Sequence, residues 1–189
     1  VGEMRDLDSA AATFRAGMTG HSVWTTLHAN DSISILERLR DLGVELSLLT
    51  DPALVTGLIS QVLVRKLCTG CRKPYLSHKA SLDADLIDRI ERTCNTEAVY
   101  LKGDGCPQCK GTGVGGRTVV AEVVMPTMSL MDAFKSEGKA GARVHWVQRE
   151  NGITMNQHVL MLVNQGIVDP RTAESDVCLL DEDFVTLGK

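Results

Sequence analysis

Apolar and polar positions along this chain switch between helical spacing and near-alternation, and the switches mark out the elements. Asp8 precedes Ala10, Ala11, Ala12, Phe14 and Ala16, a helix that Gly20 would end. Before it, Val1 to Glu3 reads as the tail of a buried strand. After it, Ser22-Val23-Trp24-Thr25-Thr26-Leu27 is short and β-rich and predicts the next strand. Asn30 or Asp31 caps a helix with Ile33, Leu36, Leu39 and Leu42 on one face, stopped by Gly43. Asp51-Pro52 is a cap followed by proline at the first helical position. It predicts a helix through Leu54, Leu58, Ile59, Val62 and Leu63 to Leu67. Strand, helix, strand, helix is a βα pattern, so the expected fold class is α/β with a parallel sheet.

Farther on, Leu82, Leu86, Ile87 and Ile90 stand at helical spacing, with Asp85, Asp88, Arg89, Glu91 and Arg92 on a solvated face. Val119, Val120, Val123 and Val124 predict a strand. The rest is helical. Thr127 or Ser129 opens a helix through Leu130, Met131 and Phe134, residues 143–149 carry Val144 and Val147, and residues 154–165 carry Val159, Leu160 and Leu162. Asp169-Pro170 starts the last helix. No internal repeat or low-complexity stretch interrupts this order.

Composition narrows the function classes. The chain is 43% hydrophobic but only 4% aromatic, which requires an aliphatic core. A net charge of -4 and a pI near 5.7 argue against nucleic-acid binding, because phosphate contacts need a basic field. No apolar run approaches the length of a membrane span. The chain opens at Val1-Gly2-Glu3 without an initiator methionine, as though inside an element, and the expectation is a piece of a longer protein. No secretion signal accompanies its cysteines, which fits a reducing, cytoplasmic compartment.

The cysteines carry the clearest chemistry. Cys68-Thr69-Gly70-Cys71 and Cys106-Pro107-Gln108-Cys109 are two C-x-x-C pairs in a chain with six cysteines. Two residues between cysteines let both thiolates point at one ion, and four thiolates describe a closed structural zinc site. Two disulfides or four unligated thiols are the other readings of this pattern. Cys94 and Cys178 stand alone and are expected to be small buried side chains. Gly111-Thr112-Gly113-Val114-Gly115-Gly116 matches G-x-G-x-x-G and, with Arg117-Thr118, comes within one residue of a phosphate-binding loop. Such loops need a strand before and a helix after. Here a cysteine knuckle precedes and a strand follows, so the stretch is expected to be a flexible turn leaving the metal site.

Gly2-Glu3-Met4-Arg5-Asp6, then Thr19-Gly20-His21, then Thr26-Leu27-His28-Ala29-Asn30 resemble the Walker B segment and histidine box of the secretion ATPases. These are the hexameric RecA-like motors of type II secretion and type IV pilus assembly. The resemblance continues through Leu63-Val64-Arg65-Lys66-Leu67-Cys68, Gly116-Arg117-Thr118 and Glu122 into the helical tail. The tetracysteine is similar to that of the assembly and secretion branch. The resemblance implies the C-terminal half of a RecA-like core at residues 1–67, a zinc subdomain at 68–116, and a return strand with a helical C-terminal subdomain at 117–189. It implies that Glu3 orients or activates the attacking water beside Mg²⁺, and that His28 senses the γ-phosphate. His21 braces the nucleotide site, and Arg5 with Asp6 forms a supporting ion pair. It also implies ATP as cofactor and a homohexamer docked on an inner-membrane platform protein, cytoplasmic and peripheral to the membrane. Asp8-Ser9 departs from the family's Glu-Thr, and Trp24 is unusual in its strand. The sequence holds no G-x-x-x-x-G-K-[ST] and neither the aspartate box nor the arginine fingers, so this piece alone is expected not to hydrolyse ATP. A zinc-stapled, non-catalytic adaptor for an inner-membrane partner is the alternative function.

Overall fold

The computed structural model describes residues 2–188. Its elements in chain order are α1 (Leu7–Met18), α2 (Ser34–Asp41), α3 (Leu46–Leu49), β1 (Leu58–Leu67), β2 (Lys73–Pro74), α4 (Tyr75–His78), α5 (Ala84–Thr93), β3 (Tyr100–Leu101), β4 (Val114–Val124), α6 (Met128–Arg149), α7 (Met155–Asn164), α8 (Pro170–Asp176) and α9 (Glu182–Leu187). They fall into two compact units, Val1–Ser60 with Glu122–Ile153, and Gln61–Ala121 with Thr154–Lys189. Each is a mixture of helix and extended chain.

In the first unit, α1 is capped by Asp6, not Asp8. The Asp6 carboxylate accepts from the Ser9 amide at 2.8 Å, and Ser9 completes a capping box. Glu3 pairs with Thr26 in a parallel bridge, with the Met4 amide donating to the Thr26 carbonyl at 2.8 Å. Val1 lies outside the described residues. In the stretch from Ser22 to Leu27, Thr26 makes the backbone bridge to Glu3. Asp31 caps α2, accepting from the Ser34 amide at 2.8 Å, and Gly43 ends it with φ 94. Ile33, Leu36 and Leu39 are buried as the spacing requires.

Four further contacts hold this unit. Glu122 is fully buried and accepts from the Ser32 amide at 3.1 Å and from Arg143 of α6 at 3.2 Å. Ser32 returns its hydroxyl to the Glu122 carbonyl at 3.0 Å. Asp31 pairs with Lys139 of α6 at 2.8 Å. Thr127 caps α6, whose two halves meet at Gly138, where φ is 69.

The second unit corrects one helix. Residues 58–67 form a strand: Ile59, Gln61, Leu63 and Arg65 are exposed, while Leu58 and Val64 are buried. Leu54, Leu58, Ile59, Val62 and Leu63 satisfy helical spacing and alternation equally well, and pairing with β4 decides in favour of the strand. Asp51-Pro52 opens only a turn, in which Asp51 accepts from the Ala53 amide at 2.8 Å. The parallel sheet expected from the βα pattern is likewise not what forms. Among the described residues the sheets are two-stranded and antiparallel, β1 with β4 and β2 with β3. Parallel pairing is confined to the Glu3–Thr26 bridge.

The segment between the cysteine pairs shares its core with the C-terminal helices. Tyr75, Leu86, Ile90, Val99 and Leu101 pack with Val159, Val163, Val168, Ala173 and Leu180. Burial of these aliphatic side chains supplies on the order of 1.5–3 kcal/mol each. Arg89 of α5 forms a two-pronged pair with Glu174 of α8 at 2.6 and 2.8 Å, both ends mostly buried. Thr154 caps α7 with a capping box, and Asp169 caps α8. α9 follows the helix expected to be last.

The buried pair in the first unit sets a stability test. Arg143→Met leaves the Glu122 carboxylate buried without its guanidinium and should cost about 3–5 kcal/mol. Urea unfolding should show Glu122→Gln/Arg143→Met recovering part of that loss. An Arg143→Met chain as stable as the parent contradicts this assignment.

Candidate metal centre and histidine box

The metal centre is built at two backbone corners. Cys68 ends β1, and its amide donates to the Gly113 carbonyl at 3.0 Å. The chain then turns, with the Cys71 and Arg72 amides donating back to the Cys68 carbonyl at 3.3 and 3.0 Å. Cys106 and Cys109 bracket a 3-10 turn that Pro107 opens. Lys110, in the left-handed region at φ 52, reverses the chain towards β4. Cysteine Sγ atoms lie 3.7 Å apart for Cys68 and Cys106, 3.9 Å for Cys71 and Cys109, and 3.8 Å for Cys106 and Cys109. All four lie within 4.8 Å of one another. A tetrahedral ion with bonds of about 2.3 Å to sulfur sets its ligands about 3.8 Å apart, so the spacing fits such an ion. No two of these sulfurs are bonded to each other.

Glycines make this packing possible. A Cβ on Gly103 would lie 1.9 Å from the Cys71 carbonyl oxygen, and one on Gly113 would lie 2.4 Å from that of Gly103. The stretch from Gly111 is therefore not a flexible turn. Its first residues close the knuckle, and from Val114 it is strand. Gly103 escaped the sequence reading because close backbone approach leaves no trace in spacing.

The sulfurs are electrostatically unequal. The Cys109 thiol is pulled down to about 6, because the backbone N–H of Cys106, and then that of Gly113, donates to its sulfur at 3.2 Å. Burial pushes Cys71 up to about 12 and raises Cys68, with neighbouring sulfurs adding to the effect. Four sulfurs this close cannot all ionise unless a cation shares their charge. Cys94 and Cys178 lie outside the cluster. Both are half-buried, with thiols raised by desolvation, Cys178 to about 12.

In the first unit Glu3, Arg5 and His28 meet. Glu3 Oε1 lies 3.2 Å from His28 Nε2, and Glu3 Oε2 lies 2.6 Å from an Arg5 nitrogen. The parallel bridge at Glu3 and Thr26 brings the two segments alongside, which places His28 two residues on from the bridge. The hydrogen bond from Arg5, with the charges of Arg5 and His28, holds the Glu3 carboxyl below its ordinary range. Glu3 is a partly screened carboxylate, and the His28 side chain stands 96% exposed. His21 is not part of this contact; its Nδ1 faces the Thr19 hydroxyl at 3.0 Å. Arg5 does not pair with Asp6, which is engaged in the α1 cap.

Comparison with known proteins defines the class first. The fold is a mixed α/β arrangement with a tetracysteine group, and it resembles two crystal structures of the ATPase DotB. The Yersinia pseudotuberculosis protein superposes with a TM-score of 0.54 at 21% identity, over 92% of this chain and 35% of that one. The Legionella pneumophila protein gives 0.54 at 20%, over 93% and 37%. At that identity the likeness is one of fold alone. The family described as "Type II/IV secretion system protein" matches residues 1–177, and this chain belongs to it. It is 36% identical over 137 residues to the type II secretion system ATPase E of Vibrio cholerae, covering 72% of this chain and 26% of that protein. It is 32% identical over 171 residues to the type IV pilus assembly ATPase PilB of Thermus thermophilus, covering 88% of this chain and 18% of that protein. The chain thus spans about a quarter or less of the length of these relatives.

The Glu3 contact predicts a titration. A carboxyl whose pKa is depressed on folding adds stability above its unfolded pKa, and that contribution fades as pH falls through the folded value. Arg5→Gln removes the largest cause, so Glu3 should titrate at higher pH. Carbon-detected NMR of the Glu3 carboxyl reads this directly, and an unchanged titration contradicts the pairing.

Proposed function

We propose that this chain works as the histidine-box and tetracysteine part of a larger hexameric ATPase that couples ATP hydrolysis to pilus or pseudopilus assembly and protein secretion. The observation that carries the proposal is the contact of Glu3 with His28 and Arg5, in a chain the family matches from end to end but for twelve residues. Phosphoryl transfer needs a positioned water, a metal and charge stabilisation, with little covalent chemistry from the protein. A carboxylate kept ionised by a neighbouring guanidinium suits the first task. An exposed imidazole beside it is free to meet a phosphate. In this proposal Glu3 orients the water near Mg²⁺, His28 touches the γ-phosphate of ATP, and His21 braces the box from the Thr19 side.

The finer architecture belongs to the same proposal. The parallel bridge is one rung of a RecA-like sheet whose other strands belong to the remaining length of such a protein. Functionally we divide the chain into 1–67, part of the ATPase core, 68–116, the tetracysteine segment, and 117–189, the return strand and helical tail. Zinc is the ion assigned to Cys68, Cys71, Cys106 and Cys109, because four thiolates in a closed tetrahedron are the donor set it prefers and leave no position for chemistry. Its partners are further copies of itself and an inner-membrane platform protein, with the chain peripheral on the cytoplasmic side. Among the described residues no helix is long and apolar enough to cross a membrane.

In the full-length protein, Glu3→Gln should lower steady-state phosphate release by about 100-fold or more while nucleotide affinity stays within a few-fold. The amide keeps the shape of the carboxylate but can neither accept a proton nor carry its charge. His28→Ala should cost less, and the 189-residue chain alone should release no phosphate above background. Near-normal turnover by Glu3→Gln overturns the role given to Glu3.

A further inference from the structure

The second unit contains a cavity that neither the metal centre nor the histidine box accounts for. Its volume is about 270 Å³, room for roughly nine waters, and its walls come from β1, the strand-ward side of the knuckle, and α8. Four cations line it: Arg65, Lys66, Lys102 and Arg171. The hydroxyls of Thr172 and Ser175 complete the rim. In a chain of net charge -4 this is a strong local reversal.

One carboxylate inside, Asp169, offsets only part of this positive charge. Asp169 is buried and its oxygens are taken by backbone amides, those of Lys102 at 2.5 Å and Arg171 at 2.8 Å. Arg171 directs its own side chain to the Ser81 carbonyl at 2.5 Å. Arg65 reaches Asp176 only at 3.4 Å in an exposed pair, and such pairs contribute little. Among the described residues Lys66 and Lys102 have no carboxylate partner. With Arg171 turned to Ser81, Lys66 and Lys102 remain with Arg65 beside the hollow, and a bound anion relieves their repulsion.

The sites are also held in place. The Leu67 amide donates to the Ile167 carbonyl at 2.8 Å and the Cys68 amide to Gly113, so the wall carrying Arg65 and Lys66 is pinned on both sides of the metal corner. The Lys102 stem lies along Gly113, where a Cβ would come within 3.1 Å of it. Lys66 and Lys102 thus both line the hollow from a pinned backbone.

We propose that this cavity binds a phosphate or diphosphate group, with Lys66 and Lys102 as its principal cations and Arg65 and Arg171 at its edge. The shared chemistry is a compact, multiply charged oxyanion, presented either by a free phosphorylated molecule or by an anionic lipid headgroup. The proposal does not depend on the role assigned to Glu3 and His28, which belong to the other unit.

Two probes separate the sources: inorganic pyrophosphate by calorimetry, and vesicles of phosphatidylglycerol in phosphatidylcholine by co-sedimentation, each with the metal-loaded 189-residue chain. One saturable site for either probe is expected, weakening as salt rises. Lys102→Gln should weaken it at least tenfold. Lys79→Gln, which removes the same charge from a helix outside the cavity, should change it less than twofold. Metal content and circular dichroism should match the parent in both variants, and if Lys102→Gln alters either, Lys66→Gln replaces it under the same expectations. Binding of pyrophosphate assigns the free source and binding of vesicles alone the lipid source. No binding of either probe, or equal losses in Lys102→Gln and Lys79→Gln, overturns the proposal.

Discussion

The close approach of four sulfur atoms is the constraint on which the second unit depends. Cys68 terminates β1, Cys109 precedes β4, and Cys71 and Cys106 begin and end the segment carrying β2, α5 and β3. Drawing them together fixes where β1 ends relative to where β4 starts. It also fixes the frame against which Val64 and Val120 meet α7. The cost is repulsion among thiolates in a confined space, where burial holds the Cys71 thiol up while backbone N–H groups pull Cys109 down. A bound cation would resolve that conflict, and the surrounding glycines show how little room the backbone leaves for any other arrangement.

The first unit rests on a different device. Glu122 is a fully buried carboxylate, and it ties the residue just beyond the histidine box, Ser32, to α6 through Arg143. Asp31 repeats the tie through Lys139. An ion pair on Asp31 and hydrogen bonds from Ser32 to the paired Glu122 hold the exit of the box against one helix. This leaves His28, a turn upstream, exposed yet directed at Glu3. The geometry that leaves His28 exposed beside Glu3 is thus supported by residues that touch neither group.

Much of this was legible in the chain. Caps at Asp31, Thr127, Thr154 and Asp169 were readable because a side-chain acceptor before a periodic run has few other uses. The tetracysteine was legible because its spacing is chemical. What sequence could not settle was tertiary. The apolar run before Cys68 fits both periods, and only its pairing with β4 makes it a strand. Asp6 precedes α1 and Asp8 lies in its first turn, and the reciprocal bond from Ser9 chooses Asp6 as the cap. The parallel sheet was inferred from element order, but among the described residues the strand partners of that order reduce to one bridge. The resemblance implies an ion pair of Arg5 with Asp6, whereas the cap claims Asp6 and leaves Arg5 for Glu3.

The central claim, that four sulfurs close around one metal ion, is most directly tested by zinc-edge X-ray absorption on chain purified from metal-replete cells. The account predicts one zinc per chain with a first shell of four sulfurs at about 2.3 Å. The Cys68→Ser chain should lose that signal. A shell dominated by nitrogen or oxygen, or zinc well below one equivalent, contradicts it.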